Sequence, residues 1–132
     1  MPAINFPEYA RAIQGVLDTA VATGEAALVS IRIDQRSSVR GFISGLLQFN
    51  DASELHFREF VDTTEFEPRL MYGYHYQDAH QELIFRYDNA THRPSLPQTE
   101  HKHTPAGVQV FPAPTLTQLM DEILHRIQDA LS

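Results

Sequence analysis

Apolar residues recur at helical spacing in two stretches, one near each end of the chain. Asn5 and Glu8 form a capping-box-like pair ahead of the first stretch, which runs to about Gly24, and Thr115 with Gln118 forms a capping box ahead of the second. Each stretch therefore predicts an amphipathic helix with an apolar face to bury. The apolar positions are Phe6, Tyr9, Ile13, Val16, Leu17, Ala20 and Val21 in the first stretch, and Leu116, Leu119, Met120, Ile123, Leu124, Ile127 and Leu131 in the second.

Between the two predicted helices, the apolar pattern changes to a period of two. The runs that show it are Leu28 to Asp34, Arg40 to Phe49, Leu55 to Val61, Leu70 to Gln77 and Gln81 to Asp88. Short polar joints separate them, and short joints connect antiparallel neighbours. The sequence predicts a single α+β domain over residues 1–132, in which an N-terminal helix, a five-stranded antiparallel meander and a C-terminal helix follow one another. We expect both helices to pack on one face of the sheet. The segment from Val108 to Phe111 is a candidate for a sixth strand, at the edge of the sheet.

Centring each hairpin on its polar joint predicts which residues share a face of the sheet. The predicted pairs are Ile31 with Phe42, Leu46 with Phe57, Leu55 with Tyr72, Tyr74 with Phe85, and Tyr76 with Leu83. One face then collects the apolar residues and forms the core, with Glu59 as its one charged member. Its apolar members are Val29, Ile31, Ile33, Phe42, Leu46, Leu55, Phe57, Val61, Leu70, Tyr72, Tyr74, Tyr76, Leu83, Phe85 and Tyr87.

The other face of the predicted sheet collects cations and imidazoles. Its members are His56, Arg58, Arg69, His75, Arg86 and Asp88, with Gly45 across from Arg58 and Gly73 across from Arg86. Glycine opposite arginine leaves room for the long side chain to lie over the sheet. Such arginines either hold phosphate groups or form a solvated face paired with carboxylates.

The composition of the chain excludes several kinds of site and of binding partner. The chain has no cysteine, which excludes disulfides, thiolate metal sites and cysteine nucleophiles. No segment has the features of a signal peptide or a membrane span, so we expect a soluble, cytoplasmic protein without a membrane partner. The formal net charge of -7 argues against broad adhesion to phosphate backbones, so any contact with nucleic acid has to come from a local patch.

One segment differs from this acidic background. The stretch from Arg86 to His103 reads R-Y-D-N-A-T-H-R-P-S-L-P-Q-T-E-H-K-H and holds three of the 7 histidines. Its three cations, Arg86, Arg93 and Lys102, outnumber Asp88 and Glu100, while the rest of the chain is strongly acidic. Because proline fixes φ, Pro94 and Pro97 allow the segment to hold a shape without ladder hydrogen bonds. We therefore expect the chemistry of the protein here.

The histidines of this segment permit two kinds of chemistry. Imidazoles at His92, His101 and His103 are suited to general acid and base catalysis, which together with a cation on the phosphate suffices to cleave RNA through its own 2′-hydroxyl without a metal. Asp88, His92, His101 and His103 also supply oxygen and nitrogen ligands for a divalent metal. In an extended chain, His101 and His103 converge while Lys102 points away. The alternative is that all of these residues lie in a solvated loop and take no part in catalysis or metal binding.

Tyr72, Tyr74, Tyr76 and Tyr87 have two interpretations of their own. Tyrosines in a row are suited to stacking bases, as in proteins that bind single strands. They share the predicted face of Leu70, Leu83 and Phe85, which favours a place in the core.

The second half of the chain resembles the TumE family of small bacterial and archaeal toxins from toxin-antitoxin systems. The resemblance rests on Y-H-Y-Q-D at 74–78, L-I-F-R-Y-D-N-A at 83–90, H-R-P at 92–94, L-P at 96–97, H-K-H at 101–103, and the capped helix after Pro112-Ala-Pro. Arg93 and Glu100 stand where the family has histidines, so His92, His101, Lys102 and His103 carry over. The resemblance implies a cognate antitoxin, often with a DNA-binding domain, and action inside the cell.

Three hypotheses of function follow. The first is a toxin that is a metal-independent endoribonuclease without a cofactor, similar at fold level to the RelE and barnase-like toxins. In it, His92, His101 and His103 act as acid and base, Lys102 neutralises charge on the phosphate, and Asp88 orients a histidine. Arg58, Arg86 and Arg93 bind the RNA. The alternatives are a non-enzymatic binding module that inhibits an acidic partner, and a metal-dependent hydrolase or nucleotidyl-type enzyme that uses Asp88 and the histidines.

Overall fold

The computed structural model describes residues 4–90 and 100–131. Along the chain, one helix precedes a meander of strands and another follows it. All the described strands lie in one antiparallel sheet, in the order of the sequence. The elements are α1 (Phe6–Ala22), β1 (Ala26–Gln35), β2 (Arg40–Phe49), β3 (Glu54–Asp62), β4 (Arg69–Gln77), β5 (Leu83–Asp88), β6 (His101–Thr104), β7 (Gly107–Val110) and α2 (Leu116–Leu131). The α+β class and the antiparallel meander are confirmed. The predicted count of five or six strands is wrong, because the described residues form a sheet of seven.

The two helices begin where the sequence places their caps. Asn5 Oδ1 accepts the backbone N–H of Glu8 at 2.9 Å, and Pro7 occupies the first turn of α1. At α2, Thr115 Oγ1 accepts from Gln118 N while Gln118 Oε1 accepts from Thr115 N, which is the reciprocal geometry of a capping box. Neither helix is both long and apolar enough to cross a bilayer, among the residues described.

The core lies between one face of the sheet and the two helices. Helix α1 contributes Phe6 and Leu17, and α2 contributes Leu119 and Ile123, all of them buried. The sheet contributes alternate residues of its strands. These are Ala26, Ile43, Leu47, Phe49, Leu55, Phe57, Val61, Tyr72, Tyr74, Tyr76, Phe85 and Tyr87. The predicted core face is therefore confirmed on β3, for Phe85 and Tyr87 of β5 and for the tyrosines of β4, whereas Leu70 at the start of β4 is 38% exposed.

Strand β2 turns the opposite set of side chains toward the core from the set that was predicted. Leu46 pairs with His56 rather than with Phe57, so Ile43 and Leu47 face the core while Phe42 is 41% exposed. The cause is the β2–β3 turn, in which Ala52 adopts the left-handed conformation with φ 66. This turn moves the centre of the hairpin, and a shift by one residue moves every side chain to the other face. The predicted pairing of Ile31 with Phe42 is also wrong, because Ile31 pairs with Gly45.

The other two hairpins have shifted registers without a change of face. Leu55 pairs with Tyr76 and Tyr74 with Tyr87, and both shifts are even numbers of residues. Even shifts leave each side chain on its predicted side because the side-chain period is two. At the far end of β5, Gln77 rather than Tyr76 pairs with Leu83, across an irregularity in the register.

A buried carboxylate ties the sheet to the first helix. Glu59 is 2% exposed on the core face and accepts hydrogen bonds from the hydroxyls of Tyr9 and Tyr74, both at 2.5 Å. Arg69 donates to the Tyr74 hydroxyl and to the carbonyl of Pro114, just ahead of α2. Burial, reinforced by the Glu59 carboxylate, raises the pKa of both tyrosines, so the hydroxyls remain protonated donors. The hydrogen-bonding capacity of this buried carboxylate is thus satisfied by α1 and β4.

Candidate functional site

The sheet face turned away from the helices carries most of the imidazoles and several cations. Cross-strand partners in an antiparallel sheet share a face. One row of partners runs through Arg32, Ser44, Arg58, Gly73, Asp88 and His101, and the next through Ser30, Leu46, His56, His75, Arg86 and His103. We call the surface made by these two rows the open face.

Strand β6 brings the end of the histidine segment to the open face. His103 pairs with Arg86 and His101 with Asp88, which places both histidines beside the carboxylate of β5. Lys102 lies between them on the core side, paired with Tyr87. The expected convergence of the two histidines, with Lys102 pointing away, follows from this short strand.

Asp88, His101 and His103 form a compact group that we call the Asp88 cluster. Asp88 Oδ2 lies 3.2 Å from His103 Nε2, and Oδ1 lies 3.8 Å from His101 Nδ1. Asp88 and His101 are buried, whereas the His103 side chain is 22% exposed. Of the three, His103 is therefore the side chain that can reach a bound substrate.

Two arginines lie next to the Asp88 cluster. Arg86 Nε donates to Asp88 Oδ2 at 2.9 Å, and the Arg86 side chain is 30% exposed. Arg58 and Arg86 both lie over Gly73, where a Cβ atom would come within 3.1 Å of Arg86 Nη2 and 3.3 Å of Arg58 Nε. The expectation that Gly73 makes room for arginine is confirmed, although its register partners are Arg58 and Asp88. For Gly45 it is wrong, because Gly45 lies on the core side against the ring of Phe57.

A shallow basin of about 730 Å³ occupies the middle of the open face. His56, Arg58, His75 and Arg86 line it, so two histidines that the sequence placed on this face without a role belong to the site. Burial is the main cause that lowers the pKa of His75 below 6.5, and the positive charges of Arg86 and His56 lower it further. A hydrogen bond between His75 Nε2 and Gln77 Oε1 acts in the opposite direction. His75 is thus a neutral imidazole near pH 7.

Replacing Arg86 with glutamine should raise the pKa of His75, because one of the positive charges that disfavour its protonation is removed. The measurement is an NMR titration of the histidine side chains in wild type and variant. Arg11→Gln is the matched control, since Arg11 is exposed on α1 and away from the open face. A His75 titration that is the same in the wild type and the Arg86 variant would contradict the placement of Arg86 beside His75.

Lys102 has partners on the other side of the sheet. Its ammonium lies 3.4 Å from Glu122 Oε2 of α2 and 4.8 Å from the ring centroid of Tyr87. These contacts fix the sheet to α2. Its position does not fit the predicted role of neutralising a phosphate held by His101 and His103.

Arg69 was predicted on the same face as Arg58, and this is wrong. A register shift between Phe60 and Val61 pairs Arg69 with Val61, a core residue. The Arg69 side chain is 9% exposed, and its guanidinium is ion-paired with Glu67. Arg69 therefore belongs to the Glu59 network and not to the site.

Two predicted site residues, His92 and Arg93, lie outside the described residues, as do Pro94 and Pro97. The structure neither joins them to the Asp88 cluster nor separates them from it. Asn89, which follows β5 directly, binds the backbone of β4 through Tyr72 N and Leu70 O.

The arrangement supports two kinds of chemistry. A carboxylate beside an imidazole orients it for proton transfer, and adjacent guanidinium groups stabilise negative charge on a phosphate. One ligand atom from each residue of the Asp88 cluster also lies within 4.8 Å of the others, which suits a divalent metal held by two histidines and a carboxylate.

The comparison with protein families gives a match. Residues 7–131 match the family described as Toxin TumE, a range that covers nearly the whole chain, from the first turn of α1 through the seven described strands to the end of α2. No curated protein and no solved structure matches the chain. The resemblance that the sequence motifs indicated is therefore confirmed, and the chain belongs to the TumE family of toxins.

Proposed function

We propose that this toxin is an endoribonuclease that cleaves RNA without a metal ion, with the 2′-hydroxyl of the substrate as nucleophile. One observation carries the proposal: His75, Arg86 and His103 are direct cross-strand neighbours on the open face, with the arginine in the middle. Adjacent strands are about 4.8 Å apart, so the two histidine backbones are separated by about 10 Å. This spacing leaves room for a phosphate on Arg86 with one imidazole on each side.

The cleavage step uses the two imidazoles in opposite protonation states. Neutral His75 accepts the proton of the 2′-hydroxyl while that oxygen bonds to phosphorus. The bond to the 5′ oxygen breaks, and the leaving oxygen takes a proton from His103. The products are a 2′,3′-cyclic phosphate and a free 5′-hydroxyl. The lowered pKa of His75 suits a base that must be neutral at physiological pH.

The neighbouring residues position these groups and stabilise charge. Asp88, 3.2 Å from His103 Nε2, orients that imidazole, and buried His101 lies 3.8 Å from the other oxygen of the carboxylate. Arg86 and Arg58 bind the non-bridging phosphate oxygens, where negative charge develops. His92 and Arg93 join the site in this proposal as a further imidazole and a further phosphate ligand.

A chelator should leave the cleavage rate unchanged, because every role is filled by a side chain. The measurement is cleavage of a single-stranded RNA by the purified toxin before and after treatment with EDTA, together with the identity of the new ends. We expect cyclic phosphate and 5′-hydroxyl ends at the same rate. A loss of activity that zinc or manganese restores would overturn the metal-independent mechanism.

The alternative is a metal-dependent hydrolase or nucleotidyl-type enzyme. The specific observation that favours it is the Asp88 cluster, in which three ligand atoms converge. In that case Asp88, His101 and His103 hold the metal, which supplies a Lewis acid or an activated water. Calorimetry with zinc or manganese, compared between wild type and Asp88→Asn, distinguishes the two mechanisms.

Membership of a toxin family implies an antitoxin as partner. We propose that the cognate antitoxin covers the open face and so neutralises the toxin. We also propose that this antitoxin carries a DNA-binding domain. The test of this interface is whether the antitoxin protects His75 and His103 from chemical modification.

A further inference from the structure

We propose that the apolar row formed by Phe42, Phe60 and Met71 is a stacking platform for an unpaired base of single-stranded RNA. The inference rests on the proposed function and names its substrate class. Phe42 pairs with Phe60, and Phe60 with Met71, so the three side chains form a third row on the same side of the sheet, next to the open face.

The row presents aromatic surface to solvent. The rings of Phe42 and Phe60 are stacked at 4.5 Å between centroids with an angle of 30° between their planes. Phe42 is 41% and Met71 56% exposed, although both are large apolar residues on a face whose other members are mostly polar or charged. The faces of bases stack on such rings whatever the base, which suits a platform that binds without strong sequence preference.

The row is continuous with the catalytic residues. Phe60 is two residues from Arg58 on β3, and Met71 is two residues from Gly73 on β4, which corresponds to about 7 Å along each strand. A cavity of about 350 Å³ is lined by Phe42, Met71, Arg58 and Asp88 together, so it joins the row to the Asp88 cluster. A base on Phe42 and Phe60 therefore places its phosphate near Arg58.

The charges beside the row favour RNA over a protein partner. Arg36 lies 5.3 Å from the centroid of Phe42 and is ion-paired with Asp34, while Arg58, a second cation, borders the other side. Three apolar side chains form a small surface, whereas a specific protein interface buries about 800 Å² on each partner. The bases of a duplex are stacked on one another, so only an unpaired base can lie on the rings.

The test measures binding of a single-stranded oligoribonucleotide that contains 2-aminopurine, by fluorescence, to the cleavage-deficient His103→Ala protein. Adding Phe42→Ala should raise the Kd about 5- to 150-fold. Phe42→Leu keeps the apolar volume and loses the ring, so it should weaken binding as well, while Phe42→Tyr should restore it. Phe66→Ala is the control, since Phe66 is fully exposed outside the row.

The outcomes distinguish a failure of the stacking platform from a failure of the proposed ribonuclease activity. If the wild type cleaves RNA and Phe42→Ala binds as tightly as its parent, the platform is wrong and the nuclease stands. If the wild type does not cleave but binding still depends on Phe42, the platform stands alone. No binding by any variant, equal binding of duplex and single strand, or a loss confined to antitoxin binding would overturn the platform.

Discussion

His103→Ala should lower the rate of RNA cleavage about 10²- to 10⁴-fold, the range for loss of a general acid or base. His103 is the partly exposed imidazole of the Asp88 cluster, so its removal deprives the leaving 5′ oxygen of a proton without opening the core. The measurement is single-turnover cleavage of a defined RNA by the purified protein, with circular dichroism as the check on folding.

The matched control for His103→Ala is His125→Ala. His125 is exposed on α2, and its Nδ1 is bonded to the carbonyl of Asp121 within the same helix. This variant should cleave at the wild-type rate. Equal rates for His103→Ala and His125→Ala would remove His103 from the mechanism.

Glu59→Ala should lower the free energy of unfolding by about 3 to 5 kcal/mol, because two hydrogen bonds to a buried carboxylate are lost together. The hydroxyl of Tyr74 then loses its buried acceptor, and the link from α1 through Tyr9 to the sheet is broken. Urea denaturation followed by circular dichroism measures the effect.

Two further variants test the cause of this loss. Tyr9→Phe removes one of the two bonds and should cost about 1 to 2 kcal/mol. Glu67→Ala removes an exposed carboxylate that also contacts Arg69 and should cost less than about 1 kcal/mol. A Glu59→Ala protein as stable as the Glu67→Ala protein would show that the carboxylate is not required for the fold.

Local patterns in the sequence sufficed to predict the helices and the faces of most of β3, β4 and β5, with the start of β4 at Arg69 and Leu70 as an exception that a register shift causes. Caps at Asn5 and Thr115 act within one turn of helix, and alternation within a strand does not depend on its neighbours. The face of β2 depends instead on the β2–β3 turn. Its left-handed residue is Ala52, and alanine gives no sign in the sequence of a conformation that favours glycine.

Strand β6 could not be found from its own residues. His101 to Thr104 reads H-K-H-T, which has no apolar alternation, and the strand forms by pairing with β5 on one side and β7 on the other. This pairing is also what moves Lys102 to the core side.

The clustering of histidines after Asp88 led directly to the Asp88 cluster, because these residues are close in the chain as well as in the fold. His75 was placed on the correct face, but its position next to Arg86 depends on which strands are neighbours and in what register. Phe42 and Phe60 were missed as a pair because the prediction turned β2 over. Sequence pattern thus indicates residue types and faces, whereas convergence across strands depends on turns and registers.

The most direct test of the proposed site is expression of the toxin in bacteria, followed by mapping of RNA ends. Wild type and His125→Ala should arrest growth and produce new 2′,3′-cyclic phosphate and 5′-hydroxyl ends, while His75→Ala and His103→Ala, present at equal levels, should do neither. Arrest by the His75→Ala and His103→Ala proteins, or arrest by the wild type with unchanged RNA, would contradict a ribonuclease centred on His75, Arg86 and His103.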